Sequence, residues 1–134
     1  MTPSSVKYGF GTRLNVPYAE AINRVKAALK DQGFGVLTEI DVKATMQAKL
    51  GVNFRNYVIL GACNPPLAHR ALSTELSIGL LLPCNVIVYE DDGGSVVEFM
   101  DPEAALSIVG NDAVTSVACE AKQRLQNAAA ALAE

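Results

Sequence analysis

Residues 84–100 read CNVIVYEDDGGSVVEFM, two β-branched runs on either side of Asp91-Asp92-Gly93-Gly94. Asp and Gly tolerate the positive φ angles at the centre of a tight turn, so this stretch predicts an antiparallel hairpin. Its strands run from about Cys84 to Glu90 and from about Ser95 to Met100. A lone hairpin is barely stable in water, and the flanking sequence has to supply partners for it. Upstream, Tyr57 to Ala62 is apolar and β-branched enough for another strand. Its alternating sets, Tyr57, Ile59, Gly61, Cys63 and Val58, Leu60, Ala62, are both apolar, which predicts a central strand covered on both faces. Helices would cover one face, and a second subunit could cover the other. The longest apolar stretch, Ile78 to Tyr89, contains Pro83 and Asn85, is too short to span a bilayer as a helix, and reads as buried sheet.

Working toward the N-terminus, Val6, Tyr8 and Phe10 alternate with Lys7, Gly9 and Gly11, a period of two that predicts a first strand continuing to Leu14. From Pro17 to Gln32, Tyr18, Ile22, Val25 and Leu29 fall on one helical stripe, with Gly33 placed to close the helix. A second strand is expected from Phe34 to about Val42, with Phe34, Val36, Thr38, Ile40 and Val42 alternating against Gly35, Leu37, Glu39 and Asp41. Lys43 to Leu50 is a short helix ended by Gly51, and Pro65-Pro66 opens another. Past the hairpin, Asp101-Pro102 leads into a helical turn through Leu106, stopped at Gly110. Asn111 or Asp112 then caps a last helix carrying Val114, Val117, Ala118, Ala121, Leu125, Ala128 and Leu132 on one face. The order is β-α-β(4)-α: an α+β single domain over residues 1–134, with two main helices on one antiparallel sheet.

The composition agrees with that reading. The chain has 134 residues, 50% of them hydrophobic and 19% charged, which is enough apolar surface for one core and too little charge for disorder. A net charge of −3 and a pI near 5.1 remove the broad basic field that nucleic-acid and membrane-surface binders use, so neither is an expected partner. Met1-Thr2-Pro3-Ser4-Ser5 has no basic start and no signal-peptide core follows, which predicts a cytoplasmic protein. In that reducing compartment the three cysteines, an odd number, are expected as thiols or ligands.

Gly61-Ala62-Cys63-Asn64-Pro65-Pro66-Leu67-Ala68-His69-Arg70-Ala71-Leu72, followed by Leu81-Leu82-Pro83-Cys84-Asn85-Val86, resembles the uncharacterised family called domain of unknown function 302. The similarity takes in Tyr8-Gly9-Phe10, Gly33 to Asp41 and Asp101-Pro102, and so covers nearly the whole domain. The resemblance implies a strand-helix-four-strand-helix fold like the TATA-binding-protein repeat, and a homodimer. It implies no nucleic-acid binding, because architecture alone does not carry function. Cys119 lies outside these motifs and has no assigned role.

Cys-Asn occurs twice, at Cys63-Asn64 and Cys84-Asn85, where one strand should end and another begin. Antiparallel pairing would bring the two dipeptides to one edge of the sheet. His69, the only histidine, follows about one turn into the helix opened by Pro65-Pro66 and could return toward that edge. Cys63, Cys84 and His69 would then suit zinc or copper(I) with one open position, although the spacing lacks the C-x-x-C pair of a standard finger. Without metal, Cys63 beside a helix start could be a thiolate of lowered pKa, with His69 as base and Asn64 or Asn85 as oxyanion donor. The plain alternatives are buried thiols, Asn64 as a helix cap, Asn85 satisfying a bend after Pro83, and an exposed His69.

Glu39 and Asp41 share one face of the second strand and, with Glu90, are acid/base candidates only if that face lines a groove with the thiols; otherwise they are solvated. No P-loop, G-x-G-x-x-G, H-E-x-x-H or G-x-S-x-G pattern is present. Three readings therefore stand: a homodimer binding a small ligand or metal at a site drawn from Cys63, Asn64, His69, Cys84 and Asn85; a thiol-dependent enzyme or redox protein using Cys63, with His69, Asn64 and Glu39 as further catalytic candidates; or a non-catalytic interaction module built on the sheet face.

Overall fold

Asp92 and Gly93 both take positive φ, 47° and 76°, which closes the hairpin with a two-residue turn of the kind whose twist matches that of paired strands. In the computed structural model, which describes residues 6–133, the hairpin strands are β4 (Cys84–Asp91) and β5 (Gly94–Met100). They pair from Asp91 opposite Gly94 to Val86 opposite Phe99. β1 (Gly9–Leu14) adds to β5, β3 (Tyr57–Cys63) adds to β4, and β2 (Gly35–Asp41) forms the far edge on β3. All four pairings are antiparallel, in the order β1-β5-β4-β3-β2.

The expected α+β architecture is therefore present. α1 (Tyr18–Asp31) and α5 (Asp112–Leu132) pack onto the face carrying Val58, Leu60, Val86, Val88, Val97 and Phe99. Pro17 is the cap of α1 rather than its first residue. Asn111 caps α5 by accepting from the Ala113 N–H at 2.9 Å, and every residue of the expected stripe, from Val114 to Leu132, is buried. Asp101 caps the short α4 (Pro102–Leu106), and Gly110 at φ +67° stops the 3-10 turn that follows it.

Several local expectations are corrected. β1 starts at Gly9, not Val6: pairing with β5 begins at Gly9 opposite Met100, and Tyr8 already serves as the carbonyl acceptor for Asp101. Met1–Ser5, on which the targeting reading rests, lies outside the described residues. Ile78–Tyr89 is not one buried strand. Leu76–Leu81 forms a 3-10 turn, with the Ile78 N–H bonded to the Glu75 carbonyl, and the sheet begins only after the cis Leu82–Pro83 peptide.

The regular alternation expected of β2 is broken by a bulge. Val36 lies opposite Ala62 and Thr38 opposite Gly61, which leaves Leu37 as an extra residue. One extra residue exchanges the faces, so Thr38 and Ile40 lie on the side away from the helices while Val36 stays with the core. α2 (Val42–Leu50) follows directly, capped by the Asp41 carboxylate on the Ala44 N–H at 2.9 Å. Among the described residues no helix is long and apolar enough to cross a membrane.

Candidate functional site

At the end of the sheet where β2 starts, β3 ends and β4 starts, α3 (Pro65–Thr74) leaves the sheet. Pro65 and Pro66 occupy its first positions, where the missing N–H groups would have no helical partner anyway. Asn64 caps it, its Oδ1 accepting from the Leu67 N–H at 3.2 Å. Between this corner, the Leu37 bulge, α3, α4 and α5 lies a pocket of about 330 Å³. Its walls are hydrocarbon from Phe34, Leu67, Leu72, Leu82, Pro83 and Leu106, together with the thiols of Cys63 and Cys84 and the amide of Asn64. Among the described residues no charged side chain lines it. A pocket of this size, mostly apolar with a few placed polar groups, has the usual character of a small-molecule site.

The two thiols meet as the strand pairing predicts. Ala62 lies opposite Cys84, which sets Cys63 one residue further along at the same end of the sheet. Cys63, Cys84 and Cys119 are all free thiols. Burial pushes the Cys63 thiol above its ordinary pKa, and burial followed by the neighbouring Cys63 pushes Cys84 up to about 11. This corrects the lowered pKa expected of Cys63 beside a helix start: desolvation of the thiolate outweighs the helix end, whose nearest N–H is already taken by Asn64. At neutral pH both thiols face the pocket as soft, uncharged groups.

A stability prediction follows for Cys84. An unfolded thiol ionises near 9 and the native one near 11, so between those values the native state holds the proton that the unfolded state has lost. Stability is therefore complete below pH 9 and falls toward pH 11, by on the order of 2–3 kcal/mol. The check is urea unfolding of the wild type and Cys84→Val at pH 8 and pH 11: the stability difference between the two proteins should shrink by that amount. An unchanged difference contradicts the assignment.

The remaining candidates do not join the thiols. His69 is exposed, its Nε2 lies 3.5 Å from the Ser73 hydroxyl, and it lines a separate depression with Arg70 and Ser116. The Cys63/Cys84/His69 arrangement for zinc or copper does not assemble, and among the described residues no group of three His, Cys, Asp or Glu side chains could hold a metal. His69 is equally displaced as a base for Cys63. Asn85 sits opposite Gly61, on the sheet face opposite Cys84, and is exposed. Glu39 pairs with Lys26 at 2.9 Å, Asp41 is spent on the α2 cap, and Glu90 accepts from Asn56 at 3.3 Å. Cys119 donates to the Glu103 carboxylate at 3.2 Å, away from the pocket.

The sequence reading named Cys63, Asn64 and Cys84 but none of the apolar wall. Phe34, Leu82, the α4 residues Pro102 and Leu106, and Val117 come from four separate segments, and no local pattern marks their convergence. On the opposite side, the sheet face away from the helices carries Tyr57 stacked on Tyr89 at 5.5 Å, with Ile59 and Ile87 partly exposed and Ile40 49% exposed. Of its charges, Arg13 and Arg55 both pair with Asp91, at 3.2 Å and 3.3 Å, while Glu98 lies opposite Ile87 on the same face.

Comparison with known proteins places these features in a family. The family model described as Domain of unknown function DUF302 matches residues 10–132. An uncharacterised conserved DUF302 protein from Bacillus stearothermophilus has a similar structure, with a TM-score of 0.85 and 29% identity over 93% of this chain and 98% of that one. A protein of Brucella suis biovar 1 (strain 1330) named fluoride-specific ion channel FluC 1 is 35% identical over 79 residues, 58% of this chain and 30% of that protein. One of the same name from Brucella abortus biovar 1 (strain 9-941) is 35% identical over 79 residues and 28% of its length. The matched part is thus under a third of the length of these two curated relatives.

Proposed function

This chain belongs to the DUF302 family, and from that premise we propose that it is a small-molecule binding protein whose site is the pocket at the Cys63/Asn64/Cys84 corner. The observation that carries this reading is a pocket of about 330 Å³ whose walls are apolar side chains and two thiols. Apolar cavities of about 150 Å³ already take up a benzene-sized molecule, so this one has room for a larger ring system or a short chain. The reading makes no use of metal or of a thiolate. It also leaves aside the channel activity in the names of the Brucella proteins, since the match covers 30% or less of each.

The test uses indane, an uncharged nine-carbon bicycle, as probe. Calorimetric titration of the purified chain should show one site with a dissociation constant of roughly 0.1 mM, the scale expected for nine well-buried heavy atoms. Absence of saturable binding overturns the reading.

A second reading, pairing of two copies, is supported by the other sheet face. The partly exposed Ile40, Ile59, Ile87, Tyr57 and Tyr89 make an apolar surface, with Arg13 and Arg55 paired to Asp91 and Glu98 opposite Ile87 on the same face. An apolar surface of this kind suits the self-complementary contact of a two-fold dimer. Sedimentation equilibrium should give a dimer for the wild type and a monomer for Ile59→Asp, with unchanged circular dichroism. A wild-type monomer removes this reading and leaves the pocket untouched.

A further inference from the structure

The pocket runs past the end of the sheet instead of stopping within one layer. Ala62 and Cys84 line it from the face that carries the helix-packed core. Thr38 and Pro83 line it from the other face, where a Cβ on Gly61 would collide with Thr38 Oγ1 and lie 2.8 Å from Pro83 Cγ. The two ends differ in their access to water. At the inner end, against α4 and α5, Phe34, Pro102, Leu106 and Val117 are all buried. At the outer end Leu37 is 69% exposed, and Thr38 and Gly79 are exposed as well. The β2 bulge is what places Leu37 and Thr38 at this mouth. The shape is a passage with a closed inner end and an open mouth, and no charge lines it among the described residues.

We propose that the ligand of this pocket is a single-chain amphiphile, with a linear hydrocarbon chain of about ten to twelve carbons in the passage and its polar head in water at the Leu37/Thr38/Gly79 mouth. The inference rests on the reading of the pocket as a binding site and adds the class of ligand. The length follows from volume: a cavity of about 150 Å³ holds the six carbons of benzene, so about 330 Å³ holds at most roughly thirteen at the same filling, and fewer with water at the mouth. A passage that crosses the sheet edge suits a narrow, flexible chain better than a compact ring system of equal volume. Each methylene that enters is removed from water, whereas a polar head would lose hydration that no lining charge can offset. The head therefore stays outside.

The experiment titrates the purified chain calorimetrically with n-alkyl maltosides, each kept below its micelle concentration. From octyl through decyl to dodecyl the affinity should rise about tenfold per two carbons, and tetradecyl should gain no more than about twofold over dodecyl, because the passage is then full. Decyl glucoside, which has one sugar ring instead of two, should bind within about twofold of decyl maltoside, since the head makes no contact. Indane should compete with decyl maltoside. Indane binding without saturable maltoside binding, or with an affinity that ignores chain length, overturns the amphiphile and spares the pocket. An affinity still climbing at tetradecyl puts the chain on an open surface, and a large difference between glucoside and maltoside puts the head inside; either overturns the proposed pose. Independent binding of indane and decyl maltoside overturns the shared site. Failure of indane and the maltosides alike overturns the pocket reading itself.

Discussion

Replacing Gly61 with valine is expected to lower the unfolding free energy by about 3 kcal/mol, measured as a reduced urea midpoint at unchanged m-value. Gly61 lies in β3, opposite Thr38 on one side and Asn85 on the other. A Cβ at this position would collide with Thr38 Oγ1 and would lie 2.8 Å from Pro83 Cγ. β3 is hydrogen-bonded to β2 and β4, so it cannot slide away to make room. The Thr38 side and the Pro83 side must both give, and these are the bulged strand and the turn that frame the pocket. Strand propensity alone would favour valine over glycine by up to ~1 kcal/mol, so the sign of the effect separates crowding from propensity. Gly35→Ala is the control: a Cβ there meets nothing within 4 Å, and stability should hold or rise slightly. A Gly61→Val protein as stable as wild type would show that the close approach of Thr38 and Pro83 is not a constraint.

Gly61 also shows where the sequence stops being legible. In the sequence it is one small member of the series Tyr57, Ile59, Gly61, Cys63, and nothing local says that a threonine and a proline from two other segments close over it. The hairpin, the capped helices and the buried stripe of α5 were readable because each is set by neighbours within a few residues: Asp92-Gly93 for the turn, Asn111 for the cap, a repeat of three and four for the stripe. The bulge at Leu37 was not, since a simple alternation fits Phe34 to Val42 equally well until pairing with β3 is known. The Leu76–Leu81 turn overlaps the start of the apolar stretch Ile78 to Tyr89, which reads as buried sheet because periodicity cannot separate short apolar runs.

The site divides in the same way. Strand pairing brought Cys63 and Cys84 together, and the cap brought Asn64, because both follow from backbone connections. His69 depended on the helical phase of one residue, and that phase turns it outward toward Ser73. The lowered thiol pKa depended on how wet the corner is, and a hydrocarbon wall assembled from distant segments decides that.

The same contrast between crowded and open space gives the prediction that bears most directly on function. Ala68 lies in α3, half-buried, with its side chain on the pocket wall. In Ala68→Phe the added ring is expected to enter the void, since alanine and phenylalanine are both accepted in a helix at a cost of a few tenths of a kcal/mol. Filling a void adds apolar burial without forcing neighbours apart, so the melting temperature should stay level or rise, opposite to Gly61→Val. The ring would occupy the volume that indane needs, and indane affinity should fall by more than about 100-fold, the loss of most of the contact available to a ligand of that size. Thermal unfolding and calorimetry on one preparation read both effects. Retained stability with abolished binding is the result the pocket requires. A destabilised Ala68→Phe would show that the space beside α3 is already filled in solution. A stable variant that still binds indane would place the binding elsewhere, because no molecule of that size can share the volume with the new ring.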